Sequence, residues 1–303
     1  MERKTFTAKG WKLAGGHKSS GAFTVVELLV VVGIISLLTA ILLGVLVKVR
    51  RQANRLRGMS NQRETVSAAN FYAMDHDERY PESVATSGFG GRWHWEEPTA
   101  LTGYNIRAPG LHRAVSEYLG SYIKDASIMF CPNAPRRYKY LQEAWDAGDA
   151  WDNPDTGGMA DPVFGTYCLY WNYKGYIGAE REPFRGPWGP ASRGRYSKLL
   201  VSDYLGYDTF RRRNAYFSCE RFKRGDIAEE TWFYSACWSV ANRGDSGVPD
   251  GLGIKLHAGY TDGHVGGYTP SEAVPMWVST TPDGTTPDTV GPGIFYLPRE
   301  ALR

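Results

Sequence analysis

Phe23-Thr24-Val25-Val26-Glu27-Leu28-Leu29-Val30-Val31 opens an apolar run that continues to Val47 and holds one ionised residue, Glu27. About 20 apolar residues in helical form cross a bilayer core, so residues 23–47 suffice. A carboxylate at mid-membrane costs roughly 2.5–3.5 kcal/mol on insertion scales, and less toward the end of a segment. A charge kept at that cost calls for a partner. An ordinary secretory signal does not fit, because the apolar core is too long. Lys48-Val49-Arg50-Arg51 follows it in place of a small-residue cleavage site, and no cysteine lies near enough for a lipoprotein signal.

Outward from this run, residues 1–22 are polar and basic and carry no apolar periodicity. Arg3, Lys4, Lys9, Lys12 and Lys18 stand against Glu2, a net +4 out of the chain's formal +3, so residues 23–303 sum to −1. Once a leader is removed, no net basic charge remains to draw nucleic acid. Lys48, Arg50, Arg51, Arg55 and Arg57 load the far flank as heavily, so charge alone does not orient the segment. Cys131, Cys168, Cys219 and Cys237 all follow the apolar run and form no C-x-x-C pair. In a chain leaving the cytoplasm an even number permits disulfides, with three connectivities open.

Val49, Ala53, Leu56, Met59, Val66, Ala69 and Ala73 recur at helical spacing beyond the apolar run. The spacing predicts one helix from residue 23 to about 74, roughly 75–80 Å long at 1.5 Å per residue. Its second half (within 48–80) is amphipathic, Gly58 is its weak point at about 1 kcal/mol relative to alanine, and Pro81 closes it. Beyond, residues 81–303 alternate short apolar runs with Gly and Pro. Residues 111–119 fit a short helix, and 163–170, 199–204, 232–240, 264–268 and 274–278 fit strands. Residues 146–161 and 183–194 fit loops. The chain is therefore α+β: a leader (1–22), a transmembrane half-helix (23–47), an amphipathic half-helix (48–80) and a globular, antiparallel, loop-rich β domain (81–303).

The opening stretch closely resembles the cleavage and methylation motif of type IV prepilins, shared with type II secretion pseudopilins. The resemblance implies a pilin-like fold and a cut by prepilin peptidase between Ala22 and Phe23, with methylation of the new Phe23 amine. It implies that Glu27, the fifth mature residue, assists assembly. It also supplies the orientation: leader in the cytoplasm, one pass through the bacterial inner membrane, globular domain outside. The family's residue before the cut is usually glycine, and here it is Ala22, also small. Freed, the Phe23 amine lies about one helical turn from the Glu27 carboxylate. In a bundle of parallel helices, Glu27 of one subunit reaches the amine of the next, and two charges costly in lipid offset each other. Ser36, Ala40 and Gly44 form a small-residue ridge that allows close helix approach.

A looser resemblance links the later chain to pilin-like proteins with an H-X9-DG signature. Its echoes are Tyr72-Ala73-Met74-Asp75 with Arg79-Tyr80-Pro81, Phe130-Cys131-Pro132, Leu199-Leu200-Val201-Ser202-Asp203, and His257-Ala258-Gly259 with Asp262-Gly263-His264-Val265. Four residues separate His257 from Asp262 where the family has nine.

Other chemistry is weighed against plainer structure. His257, Asp262 and His264 are imidazole and carboxylate ligands suited to zinc, but Asp-Gly between apolar residues is also a two-residue hairpin signal. Asp245 to Asp250, in Asp245-Ser246-Gly247-Val248-Pro249-Asp250-Gly251, is an oxygen-rich loop open to calcium, yet lacks the alternating acids and distal Glu of an EF-hand. Trp93-His94-Trp95 and the many tyrosines suit either a sugar-binding face or a core. No G-x-S-x-G, H-E-x-x-H or P-loop is present, so nothing demands an enzyme. The expectation is a pilin or pseudopilin subunit, minor or specialised, whose partners are prepilin peptidase, sister subunits and membrane lipid. The competing expectations are a membrane-anchored binding protein that does not polymerise, and a tethered enzyme using the cluster at 257–264.

Overall fold

The computed structural model describes residues 24–87, 98–103, 113–134, 139–155, 163–177, 182–207, 215–217, 239–241, 255–278 and 294–303. The chain divides into two compact units, residues 1–49 and 50–303, and helix α1 (Val25–Asp75) contributes to both.

In the first unit every described side chain is exposed, and the valines, leucines and isoleucines from residue 25 to 49 are 43–73% uncovered. So much apolar surface without a core needs an apolar surrounding. α1 is the one described helix long and apolar enough to cross a membrane.

In the second unit, α1 buries Gly58, Gln62, Thr65, Val66, Ala68, Ala69 and Ala73. The expected apolar stripe is only partly this face: Val66, Ala69 and Ala73 are covered, whereas Ala53 and Leu56 are exposed. Val49, which ends the first unit, is exposed too. Small residues make up most of the covered face, which allows close helix–sheet approach, and Gln62 is held there by a buried hydrogen bond. Gly259 shows how close: a Cβ there would sit 2.7 Å from Val66 Cγ2 and 2.9 Å from Val201 Cγ1. Gly58 does not break the helix; its carbonyl accepts from the Tyr167 hydroxyl at 3.4 Å. Nor does Pro81 supply the stop. Asp77 and Glu78 turn left-handed at φ 51° and 57°, and Glu78 N closes back on Ala73 O at 2.8 Å.

Three antiparallel sheets follow among the described residues. A three-stranded sheet places β1 (Ala100–Gly103) between β2 (Arg113–Ala114) and β3 (Val163–Phe164). A four-stranded sheet joins β4 (Tyr167–Leu169), β7 (Leu199–Asp203), β11 (Leu256–Tyr260) and β12 (Val265–Tyr268) in the order β12-β11-β7-β4. A seven-stranded sheet holds β5 (Lys174–Ile177), β6 (Glu182–Arg185), β8 (Leu205–Tyr207), β9 (Ala215–Phe217), β10 (Ser239–Ala241), β13 (Ala273–Val278) and β14 (Ile294–Pro298), ordered β10-β9-β8-β14-β13-β5-β6.

The run 163–170 is therefore two strands in two sheets, not one. The chain changes sheet at Gly165, whose N donates to Thr99 O and whose Cβ position is crowded by Met129 O at 3.0 Å. The helix expected over 111–119 shrinks to a short helix, Val115–Leu119, since Arg113 and Ala114 pair with β1. Within the expected loop 183–194, β6 occupies the start; Pro183 is tolerated because β6 is a sheet edge. The expected loop 146–161 begins inside a helix, Leu141–Ala147, and a following 3₁₀ turn. Of the run 232–240, only Ser239 and Val240 fall within the described residues. The core is heavily aromatic, with Tyr167, Tyr170, Trp171, Tyr173, Phe295 and Tyr296 fully buried.

Candidate functional site

The first site-bearing segment is the start of α1. Thr24 precedes the first helical residue, and Glu27 is the third residue of the helix. Glu27 Oε2 accepts from Thr24 N and from the Thr24 hydroxyl, both at 2.8 Å, while Thr24 Oγ1 accepts from Glu27 N at 3.2 Å. This is a capping box: two otherwise unpaired amides at the helix start are satisfied reciprocally. The T-x-x-E spacing in the sequence is the signal for this cap, a role additional to the assembly contact expected of Glu27. Ala22 and Phe23 lie outside the described residues. Ser36, Ala40 and Gly44 are all exposed on α1, and a Cβ at Gly44 would meet nothing within 4 Å.

The second is a buried carboxylate in the globular unit that sequence reasoning missed. Asp203 ends β7, is 3% exposed, and ties three elements together. Its Oδ1 accepts from Gln62 Nε2 of α1 at 2.8 Å. Its Oδ2 accepts from His257 N of β11 at 2.7 Å and faces His257 Nδ1 at 3.1 Å. The register explains the meeting: Ser202 lies opposite Ala258, which brings Asp203 beside His257. The Leu199–Asp203 run, an apolar strand ending in an acid, was the only sequence signal for it.

His257 is thus held by Asp203, not by Asp262 or His264. Those two form a separate, exposed couple, with His264 Nδ1 at 2.6 Å and His264 N at 3.1 Å from Asp262 Oδ1. Burial acts against the Asp262 carboxylate, but the hydrogen bonds from His264 outweigh it and hold its pKa below the ordinary value. Among the described residues no three His, Cys, Asp or Glu side chains gather as a metal site. Asp262-Gly263 serves a hairpin between β11 and β12, with a three-residue connection instead of two. Gly263 N donates to Tyr260 O, Tyr260 N donates to His264 O, and Gly263 takes φ 89°, the left-handed residue such a loop requires. Asp245 and Asp250 lie outside the described residues, as do Trp93, His94 and Trp95.

The Phe130-Cys131-Pro132 step lies against α1: Asn61 Nδ2 donates to Phe130 O at 2.9 Å and Asn54 Nδ2 to Pro132 O at 3.5 Å. Cys131 and Cys168 are buried thiols, not a disulfide, and Cys219 and Cys237 lie outside the described residues. Trp145, Trp151 and Trp171 belong to the core, which removes them from any sugar-binding face; Trp188 is 37% exposed.

No family model, curated protein or solved structure matches this chain.

Proposed function

We propose that this chain is a pilin-like subunit, made as a prepilin, cut between Ala22 and Phe23, and assembled through α1 into a type IV pilus or type II secretion pseudopilus. The observation that carries this reading is the nine-residue prepilin-type stretch running directly into an uncovered apolar helix that begins at Val25. The capping box supports it. Glu27 folds back toward the helix start, where the amine freed at Phe23 would lie. A helix with apolar side chains exposed along its whole first half, followed by a β domain, is the architecture such a subunit needs.

In this reading the leader stays cytoplasmic, the globular unit faces outward, and chemistry is done to the chain, not by it. The size of the outward part, residues 81–303, suits a minor or specialised subunit. Mass spectrometry of the mature N-terminus tests the proposal. N-methyl-phenylalanine at residue 23 is the expected species, and an intact Met1 terminus overturns it. Glu27→Ala should retain cleavage but lose filament incorporation.

A further inference from the structure

The second unit carries a groove of about 620 Å³ between β6 and the segments 194–197 and 301–303. Arg185, Arg195 and Arg303 line it, against one carboxylate side chain, Glu182. Among the described residues none of the three arginines forms an ion pair. Arg195 rests over the Tyr196 ring, 5.5 Å from its centroid. Unneutralised like charges sharing one concavity raise its potential and favour an anion there.

The backbone narrows what that anion can be. Among the described residues β6 is an edge of the seven-stranded sheet, a position that ordinarily invites an added peptide strand. Here Pro183 has no N–H to offer, and Arg185 O already accepts from Ser197 N at 2.8 Å. A peptide would find no main-chain ladder, so recognition falls to the side chains. Guanidinium forks match carboxylate and sulfate groups in bidentate fashion. Residues 23–303 sum to −1, so any attraction for a polyanion must be local to such a groove or to the cations following the apolar run. We propose that this groove binds an acidic polysaccharide, its uronate carboxylates or sulfate esters held by Arg185, Arg195 and Arg303. The inference stands apart from assembly and goes beyond the pilin-like reading.

The test uses full-length protein in detergent, immobilised and exposed to polygalacturonate, dextran sulfate, neutral dextran and poly-glutamate. Arg195→Gln and Arg303→Gln change exposed positions and should leave the melting temperature unchanged. Each should weaken binding of the acidic polysaccharide about tenfold, the size of one charge-assisted hydrogen bond. A control pair, Arg50→Gln with Arg51→Gln, should change it little, and neutral dextran should not bind. Preference between the uronate and the sulfated polymer identifies the anion. The proposal is overturned if neither acidic polysaccharide binds, if the groove variants bind like wild type, or if poly-glutamate binds as tightly.

Discussion

Asp203 offers the sharpest test of how the globular unit is held together, because two substitutions there should differ by a calculable margin. Asp203→Ala strands the donors Gln62 Nε2 and His257 N and removes the partner of His257 Nδ1. A hydrogen bond to a charged group contributes about 1.5–3 kcal/mol, but the sum overshoots, since removing the carboxylate also removes its burial cost. The net loss should be about 3–5 kcal/mol, the range for breaking a buried charged contact by deleting one partner. That is a large part of a typical stability of about 5–15 kcal/mol. Asp203→Asn should cost less, about 1–2 kcal/mol. Its amide oxygen can keep the His257 N–H, and its NH₂ can meet Gln62 Oε1, which is buried without a hydrogen-bond partner, once the Gln62 amide turns over. Urea unfolding of the full chain in detergent, followed by tryptophan fluorescence, reads both values, provided the slope against urea is unchanged. If Asp203→Ala falls within about 1 kcal/mol of wild type, or Asp203→Asn is equally damaging, the carboxylate does not staple these elements as described.

Gly259→Ala should destabilise by about 1–3 kcal/mol, since its Cβ would strike Val66 and Val201, whereas Gly58→Ala should be neutral or gain up to about 1 kcal/mol. At Gly58 the nearest atom to a new Cβ is Tyr167 Oη at an ordinary 3.5 Å; the same urea titration compares the pair, and a reversed order refutes the packing argument. Thr24→Val removes both hydroxyl bonds of the capping box and should fray the first turn by about 0.5–2 kcal/mol, seen as faster amide exchange at residues 26 and 27; unchanged exchange would dismiss the cap. Burial pushes the Tyr118 phenol up to about 12, and burial likewise raises Tyr80, Tyr170, Tyr260 and Tyr268. The folded chain therefore keeps protons the unfolded chain loses above pH about 10, so this stability is whole below that pH and falls as pH rises toward about 12. Tyrosinate absorbance should rise steeply together with loss of tertiary signal, and a gradual titration near the ordinary tyrosine value with the fold intact would contradict it. In a Cys219→Ser, Cys237→Ser variant, thiol reagents should label Cys131 and Cys168 only after denaturation; prompt labelling would show the thiols are not buried.

The parts legible in the sequence were those set by nearest neighbours along the chain. A long apolar run makes a helix whatever follows, and Asp262-Gly263 makes a hairpin from its own dihedral preferences. Which face of α1 the globular unit covers was not legible, because periodicity marks large apolar side chains and this interface is chosen by smallness. Leu56, Phe71 and Met74 remain exposed while Gly58, Thr65, Ala68 and Ala69 are covered, and Gln62 is drawn in by its hydrogen bond to Asp203 rather than by size. The strands β5, β6 and β8 were missed for a related reason. Sequences such as Lys174–Ile177 and Glu182–Arg185 carry Gly, Pro and charge that depress any strand signal, and their neighbours in the sheet supply what local preference does not. For Asp203 the sequence marks only an apolar strand ending in an acid: its partners lie 141 and 54 residues away, and only the folded register brings them to one carboxylate.

Glu27 shows the same division within one residue. Cost in lipid is an argument that Glu27 needs a partner, but it does not say where the partner is. Thr24, three residues away, already supplies two donors to the carboxylate on the same helix. On the pilin-like proposal, an intersubunit amine would not meet a bare charge; it would compete with, or add to, the local cap. The gain from pairing with a neighbour is then the difference between two satisfied states, smaller than the full cost of an unpaired carboxylate in lipid. On that proposal the contact would form on assembly and release on disassembly without leaving the carboxylate unpartnered in the free subunit, where Thr24 already serves it. If the cap is what keeps the free subunit tolerable in the membrane, Thr24→Val should lower the amount of membrane-inserted precursor before any filament forms, while Glu27→Ala, which removes the charge itself, should not. Equal precursor levels in both variants would show that the cap does not make the charge tolerable in the membrane.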